Sequence, residues 1–302
     1  MQYTLHQLTV FLKVNRTESI TRAAEELNLT QPAVSIQMRN FQDQFDIPLT
    51  EVIGRKLHIT AFGREIAVAA ERILKEVDAI NYKAQSYRGL LTGRLRVSVV
   101  STGKYVMPYY LTDFFSLHPN VELVVDVSNK SQVVESLKGN ESDFCLVSLL
   151  PEHMMIDSLE LIENRLCLIA NAEFKSPKRQ TNPQLLETLT MLYREEGSGT
   201  RTSTEQFFKD NQLVIRRKIE LTSNEAVKQA VIAGLGCAIM PLIGIRQELE
   251  SGLLQIVPVK GLPLRSAWRL IWPSRKQHSP VATAFLQYLR ENREAINRKW
   301  LS

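Results

Sequence analysis

Residues 19–45, SITRAAEELNLTQPAVSIQMRNFQDQF, hold two short amphipathic segments separated by residues that favour a tight turn. In the first, Ile20, Ala23, Ala24 and Leu27 recur at helical spacing, with alanine where a second helix must come close. Ser19 or Thr21 can cap its amino end. Asn28 can end that helix, Thr30 can cap the next, and Pro32 falls near the first turn, where its missing N–H leaves no bond unmade. Val34, Met38, Phe41 and Phe45 then form an apolar stripe and leave Gln31, Ser35 and Arg39, four residues apart, on another face. Glutamine can read adenine in the major groove, arginine can read guanine or bind phosphate, and serine suits either role, so this face has the chemistry of a DNA recognition helix. Packed helices with a polar outer face also occur in proteins that never touch DNA, and spacing alone leaves both readings open.

Net charge does not decide between them. Through residue 60 the basic residues Lys13, Arg16, Arg22, Arg39, Arg55 and Lys56 are matched by Glu18, Glu25, Glu26, Asp43, Asp46 and Glu51. The net charge of +5 over 302 residues therefore arises mostly elsewhere. Placement says more than sum: Arg55 and Lys56 lie in GRKLHIT, a basic loop leading into alternating Leu57 and Ile59, which reads as a small β wing able to meet phosphates.

Residues 1–63 resemble the amino-terminal winged helix-turn-helix domain of the LysR-type transcriptional regulators. The resemblance rests on Ala23–Ala24, on Gln31–Pro32–Ala33–Val34–Ser35, on Pro48–Leu49, and on Ile59–Thr60 followed by Gly63. It implies that Thr30, Gln31, Pro32, Ser35, Arg39, Arg55 and Lys56 contact double-stranded DNA. The chain departs from the pattern at Ile36, where the family commonly carries a basic residue, and at Thr50, Glu51 and Val52, where it usually has phenylalanine and an acidic-basic pair. One phosphate contact fewer at position 36 predicts weaker or differently specified binding with a shallower salt dependence.

From Ile66 through Ala70, Ile73, Val77, Ile80, Ala84 and Tyr87 the apolar steps alternate four and three, a coiled-coil seam flanked by charges. A single helix burying one face of its own domain is the other reading; the narrow seam favours pairing with a second chain. Residues 64–88 are expected to form this linker helix. In the family it dimerises, the target is an interrupted dyad-symmetric site, and a dimer of dimers bends DNA and alters contact with RNA polymerase; the resemblance implies the same here.

After Gly89 and Gly93 the composition changes. Apolar runs at Leu95–Val99, Val121–Val127, Asp143–Leu149 and Arg165–Ala170, with helical stretches between them, give the rhythm of a parallel α/β sheet. The resemblance implies a bilobal, periplasmic-binding-protein-like effector domain over residues 93–302. Crossing strands are placed near Glu163–Leu166 and Leu264–Trp268, giving lobe one as 93–163 and 268–302 and lobe two as 164–267. Three polar turns carry candidate ligand chemistry: Ser101, Thr102 and Gly103 before a helix near Tyr105; Ser198, Gly199 and Thr200 in REEGSGTRTS before a helix near Thr202; and Ser223 and Asn224 before a helix ending around Gly234. Asn129, with Ser128 and Lys130, and Ser148 are further candidates. Hydroxyls and free N–H groups at helix amino ends attract anions, though any one such turn is more often a plain cap. Their convergence at the carboxyl ends of strands points to a small anionic effector, an oxyanion or a phosphorylated or carboxylated metabolite.

Other classes fare worse. Ser198 lacks a nucleophile elbow because Glu196 stands at the first glycine position, no phosphate-binding or zinc-protease motif occurs, and the histidines have no metal-ligand spacing. No enzymatic activity, cofactor or metal is expected. Cys145, Cys167 and Cys237 lie in apolar contexts and read as core. Without a signal-like start or a long apolar run, a cytoplasmic protein with no membrane association is expected. The alternative function is a cytoplasmic small-molecule-binding protein whose amino-terminal helices contact proteins.

Overall fold

A computed structural model describes residues 3–54, 56–86, 91–175, 177 and 179–301, and the side chains of residues 75, 78, 79 and 81–86 are not described. The chain divides into two compact units, Met1–Gly89 and Leu90–Ser302.

The first unit contains α1 (Leu5–Thr17), α2 (Ile20–Leu27), α3 (Gln31–Gln42), β1 (Thr50–Ile53), β2 (Lys56–Ile59) and α4 (Ala61–Ser86). Its caps follow the sequence. Ser19 caps α2, Asn28 ends it in the left-handed region at φ 53°, and the Thr30 side chain accepts from the Ala33 N–H at 3.4 Å. Ala23 and Ala24 are buried with Phe11, Val34, Met38, Phe41 and Leu49 in one core. The β1–β2 hairpin pairs Thr50 with Ile59 and Ile53 with Lys56, through Gly54 at φ 57°. Behind it the Thr60 hydroxyl accepts from the Gly63 N–H and donates to the Pro48 carbonyl. Gly63 must lack a side chain, because a Cβ there would stand 2.1 Å from the Leu49 carbonyl oxygen.

Helix α4 begins at Ala61, three residues before the expected start at 64, because the Thr60 hydroxyl serves its first turn. The seam also divides. Ile66 and Ala70, with Ala67, pack into the unit's own core, whereas Ile73 and Ile80 are exposed at 38% and 65%. The Ala84 side chain and Tyr87 lie outside the described residues.

The second unit runs β3 (Gly93–Val100), α5 (Met107–Leu117), β4 (Val121–Ser128), α6 (Lys130–Lys138), β5 (Phe144–Val147), β6 (Ile156–Asn171), β7 (Thr190–Arg194), α7 (Gly199–Asp210), β8 (Arg217–Leu221), α8 (Asn224–Ile232), β9 (Cys237–Pro241), α9 (Arg246–Glu250), β10 (Leu254–Ile256), β11 (Leu264–Pro273) and α10 (Pro280–Ile296). The sheet order is β4-β3-β5-β11-β6-β9-β7-β8, with β10 beside β6. β3 pairs in parallel with β4 and β5, and β7 with β8 and β9, so each end of the sheet is a parallel wing. Between the wings β6 and β11 run antiparallel, with Leu264 opposite Leu166 and Ala267 opposite Glu163. The two strands join the wings: β11 also pairs with β5, and β6 with β9.

The strand expected over Arg165–Ala170 is the last part of a 16-residue strand. Its first half, IDSLELIEN, alternates polar and apolar residues because one face there meets solvent. A short 3-10 turn over Gly103–Tyr105 delays α5 to Met107, whereas α7 begins three residues earlier than expected, at Gly199.

Candidate functional site

On α3, Gln31, Pro32 and Arg39 are exposed and Ser35 is half-buried, while Val34, Met38 and Phe41 are buried beneath them. The far end of the helix is fixed by Gln42, whose side-chain oxygen accepts from the Leu49 N–H at 2.6 Å and whose amide donates to the Ile47 carbonyl. The face carrying Gln31 and Arg39 is therefore rigidly mounted and reachable. Thr30 is exposed, but its hydroxyl is engaged as the cap. Lys56 opens β2 and is exposed; Arg55 lies outside the described residues.

In the second unit the loops following β3, β5 and β7 meet between the two wings. Ser101, Thr102, Ser148, Ser198, Gly199 and Thr200 line one narrow cleft together with Lys130. Thr102 and Ser198 are 5% and 3% exposed, and neither hydroxyl makes a cap bond. Ser198 stands at the amino end of the 12-residue α7, whose unpaired N–H groups and dipole favour negative charge. Gly199 keeps the cleft open: a Cβ there would meet Leu149 and Ser148 only at 3.8 Å, so packing does not demand the glycine.

Beside this cleft lies Arg194, at the carboxyl end of β7 and 4% exposed. Its guanidinium donates to both Glu195 carboxylate oxygens at 2.7 Å and to the Ser101 hydroxyl at 3.0 Å. Asn224 donates to the same hydroxyl at 3.4 Å. Ser101 thus joins the β3 loop of one wing to β7 and α8 of the other. The remaining Arg194 nitrogen, Nη1, and the Asn224 side-chain oxygen are buried without a partner, an arrangement a polar ligand can complete. Arg194 and Asn224 also line a small adjoining cavity with Thr200 and Tyr193.

The other expected residues have local roles. Gly103 packs under the sheet, where a Cβ would stand 2.7 Å from Val99. Ser223 caps α8 by accepting from Ala226, and Asn129 caps α6 by accepting from Gln132. Glu195 is held by Arg194, while Arg201 turns outward to Glu205 and Glu220. Arg194 is not among the residues the sequence singles out. The signal that could have found it is an arginine ending an apolar strand immediately before a glycine-rich turn. Burial pushes the Cys145 thiol up to about 12 and the Cys237 thiol to about 11, so both are protonated packing groups. Among the described residues no cluster could hold a metal ion, and no helix is long and apolar enough to cross a membrane.

Comparison with known proteins gives matches along the whole chain. Residues 5–64 match the bacterial regulatory helix-turn-helix protein, lysR family, and residues 88–294 match the LysR substrate binding domain. The chain is 37% identical to a RuBisCO operon transcriptional regulator of Acidithiobacillus ferrooxidans over 287 residues, 95% of this chain and 93% of that one. It is likewise 37% identical to the HTH-type transcriptional activator CmpR of Synechocystis sp. over 97% of both chains. Among solved structures, the Synechocystis CcmR regulatory domain in complex with 2-PG superposes with a TM-score of 0.64 and 30% identity, covering 66% of this chain and 97% of that one.

Proposed function

The chain belongs to the LysR family and is a DNA-binding transcriptional regulator, not an enzyme, and we propose that a small phosphorylated or carboxylated anion, held between its two α/β lobes, sets how it engages a dyad-symmetric site. The observation that carries the effector reading is the pair of buried, uncapped hydroxyls of Thr102 and Ser198, at the amino end of α7 and beside the incompletely satisfied Arg194. The 2-PG named with the CcmR regulatory domain supports the same ligand class. Relatives named as RuBisCO operon regulators support operons of that kind as targets.

In this reading α3 enters the major groove, with Gln31, Ser35 and Arg39 at base edges, while Thr30 and Pro32 seat its amino end and Arg55 and Lys56 of the wing meet phosphates. Pairing through α4 makes the second half-site contact intramolecular, which raises affinity by about two to four orders of magnitude. The reading extends to a dimer of dimers working in the cytoplasm in contact with RNA polymerase.

Mobility shifts with the DNA upstream of its own gene test this. A salt-sensitive preference for dyad duplex over random duplex, altered by 2-PG, is the expected result; equal binding to both duplexes would refute it. Gln31→Ala should relax sequence preference by about 1–3 kcal/mol, whereas Lys56→Ala should weaken all duplexes alike.

A further inference from the structure

The buried stripe of α3 is set by Val34, Met38 and Phe41. At about 100° per residue, position 36 lies about 200° from both 34 and 38, facing directly away from the core. Ile36 stands there, 55% exposed. Pro32, one turn before it, and Arg39 and Asn40, one turn after, are exposed as well, so Ile36 occupies the middle of the outward face. Nothing in the packing of the unit requires isoleucine at this position.

Single exposed apolar residues are ordinary on protein surfaces, so exposure alone carries no meaning. The location does. A side chain on the outward face of a helix seated in the major groove has base edges as well as phosphates within reach, and isoleucine brings neither donor nor acceptor. Against guanine, cytosine or adenine it would strip water from polar edge groups and return no hydrogen bond. One base presents an apolar group in that groove: thymine, through its 5-methyl.

We propose that Ile36 is a specificity-determining residue that selects thymine in each half-site by packing on the 5-methyl group. The inference rests on the reading of α3 as the recognition helix and adds to it the base and the atom that are read. Selection comes from two directions: burial of methyl against side chain favours thymine, and unreturned dehydration of polar edges disfavours the other bases.

The experiment separates this from the parent reading. Duplexes enriched from a random pool by the full chain define its site, and each thymine is then replaced singly by deoxyuridine, which keeps its pairing and loses only the methyl. At one thymine of each half-site the replacement should weaken the unaltered chain about fourfold, the effect of one methylene-sized burial. Ile36→Ala should be indifferent to uracil at that same position and should enrich sites with no thymine preference there. Alanine is a better helix former than isoleucine, and an unchanged circular dichroism spectrum will show that the variant is folded. Sites enriched normally but indifferent to uracil, or equally sensitive in both proteins, would overturn the assignment of Ile36 alone. Failure to enrich any duplex would remove the DNA reading and this inference with it.

Discussion

Thr102 and Ser198 are nearly buried hydroxyls that no helix cap engages, and replacing either with alanine should separate binding from folding. Calorimetry with 2-PG should show affinity reduced by about 1–2 kcal/mol in each variant while the ligand-free melting midpoint stays put. Unchanged affinity in both would move the effector elsewhere. His278 makes a different, acid-dependent prediction. Its ring stacks 4.9 Å from Phe144 and lies 5.7 Å from Trp272, neither nitrogen has a partner, and burial, reinforced by Lys276, holds its pKa below the usual value. The folded state therefore binds fewer protons than the unfolded one as the pH falls. The stability that neutral His278 contributes is present above the ordinary histidine range and is lost as the pH drops through it toward the depressed folded value. Urea unfolding between pH 7.5 and 5 should show this loss, and His278→Phe should flatten it. At this scale, the helix-capping residues were legible because local hydrogen bonding dictates Ser19, Asn28 and Thr30. Arg194 was not, because its importance comes from Ser101 and Asn224, 93 and 30 positions away in the chain.

Elements differ in how openly the sequence declares them. The short helices α2 and α3 carry their own caps and one clear stripe, so their limits could be read directly. The heptad seam of α4 could be read as a pattern but not as an allocation. Its first positions serve α1 and the domain core, and only the surrounding fold reveals that Ile73 and Ile80 are left outward. If paired copies meet there, Ile80→Glu should shift sedimentation toward monomer and weaken dyad binding by about two orders of magnitude or more, with little change in helix content. A dimer that survives the substitution would place the interface elsewhere. The long strand β6 was half hidden because charged residues Glu160, Glu163 and Arg165 alternate with its apolar ones, and its partners in β11 lie about a hundred residues later.

For the molecule as a whole, coupling between effector and DNA must be reciprocal. Couplings of this kind are about 1–3 kcal/mol, a shift of about 5- to 150-fold. Whatever factor saturating 2-PG applies to operator affinity, saturating operator should apply to 2-PG affinity, and Ser198→Ala should reduce the coupling along with the binding; unequal factors would mean that the two ligands do not share one equilibrium. The alternation of strands and helices made the α/β class legible, while the exchange between lobes required β6 and β11 to be seen side by side. That exchange has a consequence for how the protein is made. The β7–β9 wing is encoded without interruption, but the β3–β5 wing is completed late: Phe285 of α10 packs on Phe114 and Phe144, and β5 receives its neighbour β11 only when synthesis is nearly done. On the ribosome the β7–β9 wing can close first, leaving the open edge of β5 waiting for its partner, so a message cut short before residue 264 should yield an aggregation-prone fragment rather than a usable half.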